Sequence, residues 1–105
     1  MARLGILVLS PPKESDIRLL RGLCAAAREK GVEVEVFFMS DGVHHLGDPR
    51  MGELAKQGAK LSFCALNAME RSLDHRPEYP WGIEEASQFS LACIAEQSDR
   101  FLCLA

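Results

Sequence analysis

The run Gly5-Ile6-Leu7-Val8-Leu9 is apolar at every position, and it narrows the possible folds more than any other stretch of this chain. A strand with two apolar faces has to be covered on both, as is a central strand of a parallel sheet sandwiched by helices. Ser10-Pro11-Pro12 ends the run, because proline has no N–H to donate to a ladder. Residues 15–30 then carry helical spacing. Ile17, Leu20, Leu23, Cys24 and Ala27 form one stripe, Asp16 suits the first turn, and Gly31 supplies the stop.

The same alternation continues. Residues 32–39 are a second expected strand, in which Glu33 and Glu35 alternate with Val32, Val34 and Val36. One face of its first half therefore meets solvent, as at a sheet edge or an exposed strand end. Ser40-Asp41-Gly42-Val43-His44-His45-Leu46-Gly47 follows as a loop with an Asp-Gly turn. Asp48 reads as an N-cap, with Pro49 at the first helical position of a short helix to about Gln57 that Gly58 closes. Lys60-Leu61-Ser62-Phe63 alternates as a third strand, and the residues from Ala65 onward favour a helix. Residues 74–81 hold two prolines and read as a loop or lid. Residues 83–97 read as a longer helix with a wide apolar face, and Arg100-Phe101-Leu102-Cys103-Leu104 as the last strand.

A βαβαβαβ order with short connections implies an α/β fold, a three-layer parallel sheet with helices on both faces. The 105 residues suffice for one such domain, residues 1–105. The expected strand order is flavodoxin-like, 2-1-3-4, which places the switch point between strands one and three. Ligands of such sheets sit there, beyond the carboxyl ends of the strands. Ser10, Pro11, Asp41, Gly42, His44, His45 and Cys64 would then gather on one rim.

Several function classes lose support. Net charge is −3 with the signs interleaved, and no basic stripe or polybasic helix argues for nucleic acid or a membrane surface. The apolar run at residues 5–9 is too short for a signal-peptide core or a membrane span, so the expected location is the cytoplasm. Cys24, Cys64, Cys93 and Cys103 are widely spaced, which in a reducing compartment reads as four free thiols. No C-x-x-C suggests zinc or a dithiol, and no glycine-rich nucleotide signature follows the first strand. Neither a metal nor a cofactor is expected.

Cys64 is the residue best placed for chemistry. It falls where a strand becomes a helix, facing unpaired backbone N–H groups and the positive end of a helix dipole, which favour a thiolate provided the sulfur is partly accessible. The alternative is a small buried hydrophobe. Cys24, Cys93 and Cys103 lie within apolar patterns and read as core. His44 and His45 read as solvated loop residues, a general base, or positive charge near Cys64; adjacent histidines rarely chelate one ion together.

Residues 34–46, VEVFFMSDGVHHL, resemble the strand and D-G-V loop of the DsrE/TusD family of small sulfur-relay proteins. Residues 58–73, GAKLSFCALNAMERSL, are similar to that family's strand, acceptor cysteine and helix, and Ser98-Asp99-Arg100-Phe101-Leu102 to its closing strand. Together with residues 5–9 the likeness covers most of the chain. It departs from the family at Arg71-Ser72-Leu73, where an arginine-glycine-valine often stands, and in the loop at 74–81. The resemblance implies a cytoplasmic sulfurtransferase-like carrier. Cys64 would hold a persulfide and pass its sulfur to a partner, with sulfur-donor and sulfur-acceptor proteins as partners and trimers or hexamers as the assembly. Two other readings compete: a non-catalytic scaffold subunit of a hetero-oligomer with Cys64 buried, and a thiol-based redox or ligand-binding module. The wide apolar face of residues 83–94 and the pair Phe37-Phe38 also point to an oligomer.

Overall fold

The computed structural model describes residues 2–73 and 82–105. The elements run β1 (Arg3–Val8), α1 (Glu14–Lys30), β2 (Glu33–Phe38), a 3₁₀ helix (Ser40–Gly47), α2 (Arg50–Lys56), β3 (Lys60–Cys64), α3 (Ala65–Glu70), β4 (Glu84–Ala86), α4 (Gln88–Gln97) and β5 (Arg100–Leu104). All strand pairs are parallel, and the sheet order is β4-β3-β2-β1-β5. The α/β sandwich with a doubly wound, flavodoxin-like parallel sheet is therefore observed. Within it the third strand adds outside β2 instead of beside β1, so the reversal falls between β1 and the closing strand β5.

Strand periodicity divides the interior into two layers. Ile6 and Val8, Val36 and Phe38, and Leu61 and Phe63 face Leu20, Cys24 and Ala27 of α1 and Met51 and Leu54 of α2. The alternate residues Leu7, Phe37 and Cys64 face Leu91 and Ile94 of α4. Adjacent on one strand, Phe37 and Phe38 enter opposite layers and both are fully buried, so they do not argue for an oligomer. Burying two such rings stabilises the fold by about 2–3 kcal/mol each.

α1 ends as its sequence implies: Gly31 adopts φ 71°, and its N–H bonds back to Arg28. α2 starts one residue later than its sequence implies: Pro49 is the N-cap, and Asp48 before it accepts the Arg50 N–H at 2.9 Å. The acidic alternation of β2 marks an exposed strand end, not a sheet edge. Glu33 pairs with Arg3 at 3.0 Å, and Glu35 borders an open cleft of about 260 Å³ beside α4 with Lys60, Ser62 and Glu84.

Three expectations need correction. Residues 83–97 are not one helix: Glu84–Ala86 pairs with β3 at the sheet edge, and the helix begins at Gln88. Cys93 is half-buried on the cleft, and Cys103 is exposed on β5, because among the described residues the ten-residue α4 is the helix on that face and β5 is an edge strand paired with β1. The loop read at residues 74–81 lies outside the described residues. Among those described, no helix is long and apolar enough to cross a membrane.

Candidate functional site

Because every strand is parallel, all five carboxyl ends open on one edge of the sheet. The residues singled out in the sequence lie along it, but they divide between the two faces.

On the α1 face, the 3₁₀ helix packs against the end of β1. A 3₁₀ helix repeats every three residues. Gly42 and His45 accordingly form one buried pair and Val43 and Leu46 another, while Asp41, His44 and Gly47 are exposed. Gly42 is required by close approach, since a Cβ there would overlap the Val8 carbonyl oxygen. His45 is fully buried with its ring 5.5 Å from that of Phe38. Its Nε2 lies 3.1 Å from the Ser10 carbonyl oxygen, which can only accept, so Nε2 carries the proton. Nδ1 is buried without a partner. Burial pushes the His45 pKa down, with the Ser10 hydrogen bond, Asp48 and Asp16 opposing it, so the ring is neutral. Ser10 is itself buried, and its hydroxyl donates to Asp16 at 2.8 Å. Pro11 is exposed just beyond.

The loop is tied to α3. Ser40 lies in the left-handed region at φ 53°, and its N–H donates to Asn67 Oδ1 at 2.8 Å. Arg71 pairs with Asp41 at 3.1 Å and donates to the Asn67 carbonyl, so Asp41 is engaged by a helix cation.

Cys64 occupies the opposite face. It ends β3 in register with Ala86 and caps α3, the strand-to-helix junction read from the sequence. Two features of that reading change. α3 has only six residues and the thiol makes no cap hydrogen bond, so helix N–H groups and dipole give it little support. The residue is also 3% exposed, in a buried cluster with Phe37 and Ile94 against which Leu7, Met39, Ala86 and Leu91 pack. The group that does reach the sulfur is Gln88, whose Nε2–H donates to Sγ at 3.5 Å from the first turn of α4. Nothing in the sequence marked Gln88 except its place after Ser87, a helix-start residue type. His45 stacks on Phe38 and Cys64 on Phe37, so the buried imidazole and the thiol are separated by the sheet.

Among the other thiols, burial pushes Cys24 up to about 11, leaving it a core residue as expected. Among the described residues no three His, Cys, Asp or Glu side chains converge as metal ligands.

The same architecture recurs in solved structures. The ychN protein from E. coli superposes with a TM-score of 0.83 at 19% identity, covering 99% of this chain and 100% of that one. The protein of unknown function MTH1491 from Methanobacterium thermoautotrophicum gives 0.79 at 19% identity, covering 97% and 99%. The conserved protein of unknown function BT1422 from Bacteroides thetaiotaomicron gives 0.82 at 13% identity, covering 97% and 94%. These likenesses establish the fold. No curated protein sequence matches the chain. Residues 2–103 match the DsrE/DsrF-like family, and with nearly its whole length in that match, this chain belongs to the DsrE/DsrF-like family.

Proposed function

We propose that this protein is a sulfur carrier that holds a persulfide on Cys64 and relays the outer sulfur to a partner protein. The observation that carries the reading is the position of Cys64. Of the four thiols it is the one at the carboxyl edge of the sheet where a strand meets a helix, with a side-chain N–H aimed at its sulfur. Family membership supports it.

The chemistry is two thiolate displacements. The Cys64 thiolate attacks the outer sulfur of a donor persulfide. The new Sγ–S bond forms as the donor's S–S bond breaks, and the bonding pair leaves on the donor thiolate. An acceptor thiolate then attacks the same outer sulfur and Cys64 leaves as thiolate, with no net oxidation and no cofactor. Ser10, Pro11, Asp41, Gly42 and His44 form or flank the α1-side half of the edge, where partner proteins dock in this reading; His45 holds that half in place. The setting we infer is the cytoplasm, and the assembly is an oligomer. Phe89, 77% exposed on α4, and Phe101 and Leu102 on the open edge strand β5 support it.

Burial of Cys64 favours a second reading, a scaffold subunit whose thiol is structural. Incubation with glutathione persulfide followed by non-reducing peptide mass analysis separates the two. The carrier gains one reducible sulfur on the Cys64 peptide, absent in Cys64→Ser. Sulfur on Cys93 or Cys103 instead refutes the site, and sulfur nowhere leaves the scaffold reading.

A further inference from the structure

Cys64 is buried, yet the groups that bury it are not alike. Phe37 and Ile94 share its buried cluster, and the half-buried Leu7, Met39, Ala86 and Leu91 pack against that cluster. Among the described residues, a further cover is the carboxamide of Gln88, an exposed residue whose Nε2 lies 3.5 Å from Cys64 Sγ and 3.8 Å from Met39 Sδ. Gln88 is the first residue of α4, held by a turn in which Ser90 Oγ accepts the Ser87 N–H and Leu91 N–H reaches the Ser87 carbonyl. The backbone there is anchored while the long side chain is free on its solvent side.

We infer that Gln88 is the gate of Cys64 and the hydrogen-bond donor to its reactive sulfur. The inference rests on the carrier reading of Cys64 and names how that site is regulated. A second sulfur bonded to Sγ at about 2 Å needs room that the packed walls do not offer. Among the described residues the carboxamide is an exposed wall that can rotate into solvent without opening the core, and it exchanges two weak N–H to sulfur contacts for water. When it swings outward by one rotamer, the same N–H follows the charge onto the outer sulfur. A neutral donor suits both states, because it stabilises an anion on sulfur without titrating. Closed, it keeps the thiol from indiscriminate oxidants; open, it admits a donor persulfide or an acceptor thiolate from the α4 side.

Iodoacetamide alkylation, followed peptide by peptide against pH, tests the gate independently of sulfur transfer. Exposed Cys103 is the internal standard. Gln88→Ala removes the cover, so the alkylation rate at Cys64 rises about tenfold relative to Cys103. Gln88→Glu keeps the shape but replaces the donor by a like charge, so the rate at Cys64 falls about tenfold at the same pH. Gln88→Asn restores part of the wild-type curve. Curves that superpose for wild type, alanine and glutamate overturn the proposal, as does a rise shared equally by Cys24, which signals loosening of the whole fold. In a parallel arm with glutathione persulfide, Gln88→Ala loads Cys64 faster and loses the sulfur faster. If the alkylation curves shift as stated but wild type never takes up sulfur, the gate stands and the carrier reading falls.

Discussion

The Nε2–H of His45 donates to the carbonyl oxygen of Ser10 across 3.1 Å, locking the 3₁₀ helix onto the end of β1 within the core. The ring is neutral in the fold because burial pushes its pKa below the ordinary 6.5. The unfolded chain therefore takes up a proton that the folded one refuses. The stability held by this group is complete above 6.5 and is lost as pH falls through the lowered folded value. Asp16, Asp48, Arg50 and Glu14 are the charged groups around it, with Arg50 paired to Asp48 and Glu14. Thermal unfolding of the wild type shifts down between about pH 7.5 and about pH 5, and His45→Gln flattens that dependence. An equal slope in both proteins would assign the acid sensitivity elsewhere.

Gly42→Ala forces a methyl into the Val8 carbonyl, a backbone atom that cannot step aside. The expected loss is about 3 kcal/mol, read as a lower urea midpoint at unchanged m-value. A variant within about 0.5 kcal/mol of wild type would contradict the close approach.

Asp48 is held below the usual carboxylate range, first by its hydrogen bonds to Arg50. Its folded value lies under 3.8, so its stabilisation is present above 3.8 and disappears as pH falls through the folded value. Arg50→Ala removes the partner, and the acid-unfolding midpoint measured by circular dichroism rises. Arg50→Lys, which loses the two-pronged geometry but keeps the charge, falls between the two.

Thiol labelling of the wild type should proceed in an order set by burial: Cys103 first, Cys93 next, Cys64 slowly, and Cys24 only on unfolding. Time-resolved maleimide mass analysis reads all four in one experiment. Early labelling of Cys24 would place it outside the core.

Phe89 stands 77% exposed on α4, and a large ring in water is costly unless another surface meets it. Phe89→Lys should lower the assembly state measured by analytical ultracentrifugation at micromolar concentration while leaving the circular dichroism spectrum unchanged. A wild type that sediments at 11.6 kDa would end the oligomer reading.

What the sequence revealed follows from which forces are local. The apolar run at residues 5–9 sufficed for a central strand, because two apolar faces demand two layers. Gly31 was legible as a helix end because capping is settled within a few residues, and the start of α2 was legible to within one residue of Asp48. β4 was not, since Glu84-Glu85-Ala86 has helix-compatible side chains and becomes a strand only through pairing with β3. Cys93 and Cys103 sit in apolar stretches, but burial depends on what lies across the sheet, and among the described residues that is α4. The candidate site was half legible. The junction at Cys64 is local, whereas Gln88 arrives from 24 residues away. The period of three that buries Gly42 with His45 stands in the sequence and is easily mistaken for a plain Asp-Gly turn.

The pairing of β1 with β5 has a kinetic side. Leu4 meets Arg100, so the ladder that covers the outer side of β1 closes a loop of 96 residues, while β1 meets β2 across only about 30. Loop-closure entropy rises with that separation, and non-local strand pairing is slow. During synthesis the β1–β2–β3 ladder can assemble as the chain emerges, but the most apolar strand of the protein waits with one bare edge until the last strand arrives. That waiting edge is where chaperones and aggregation compete for the nascent chain.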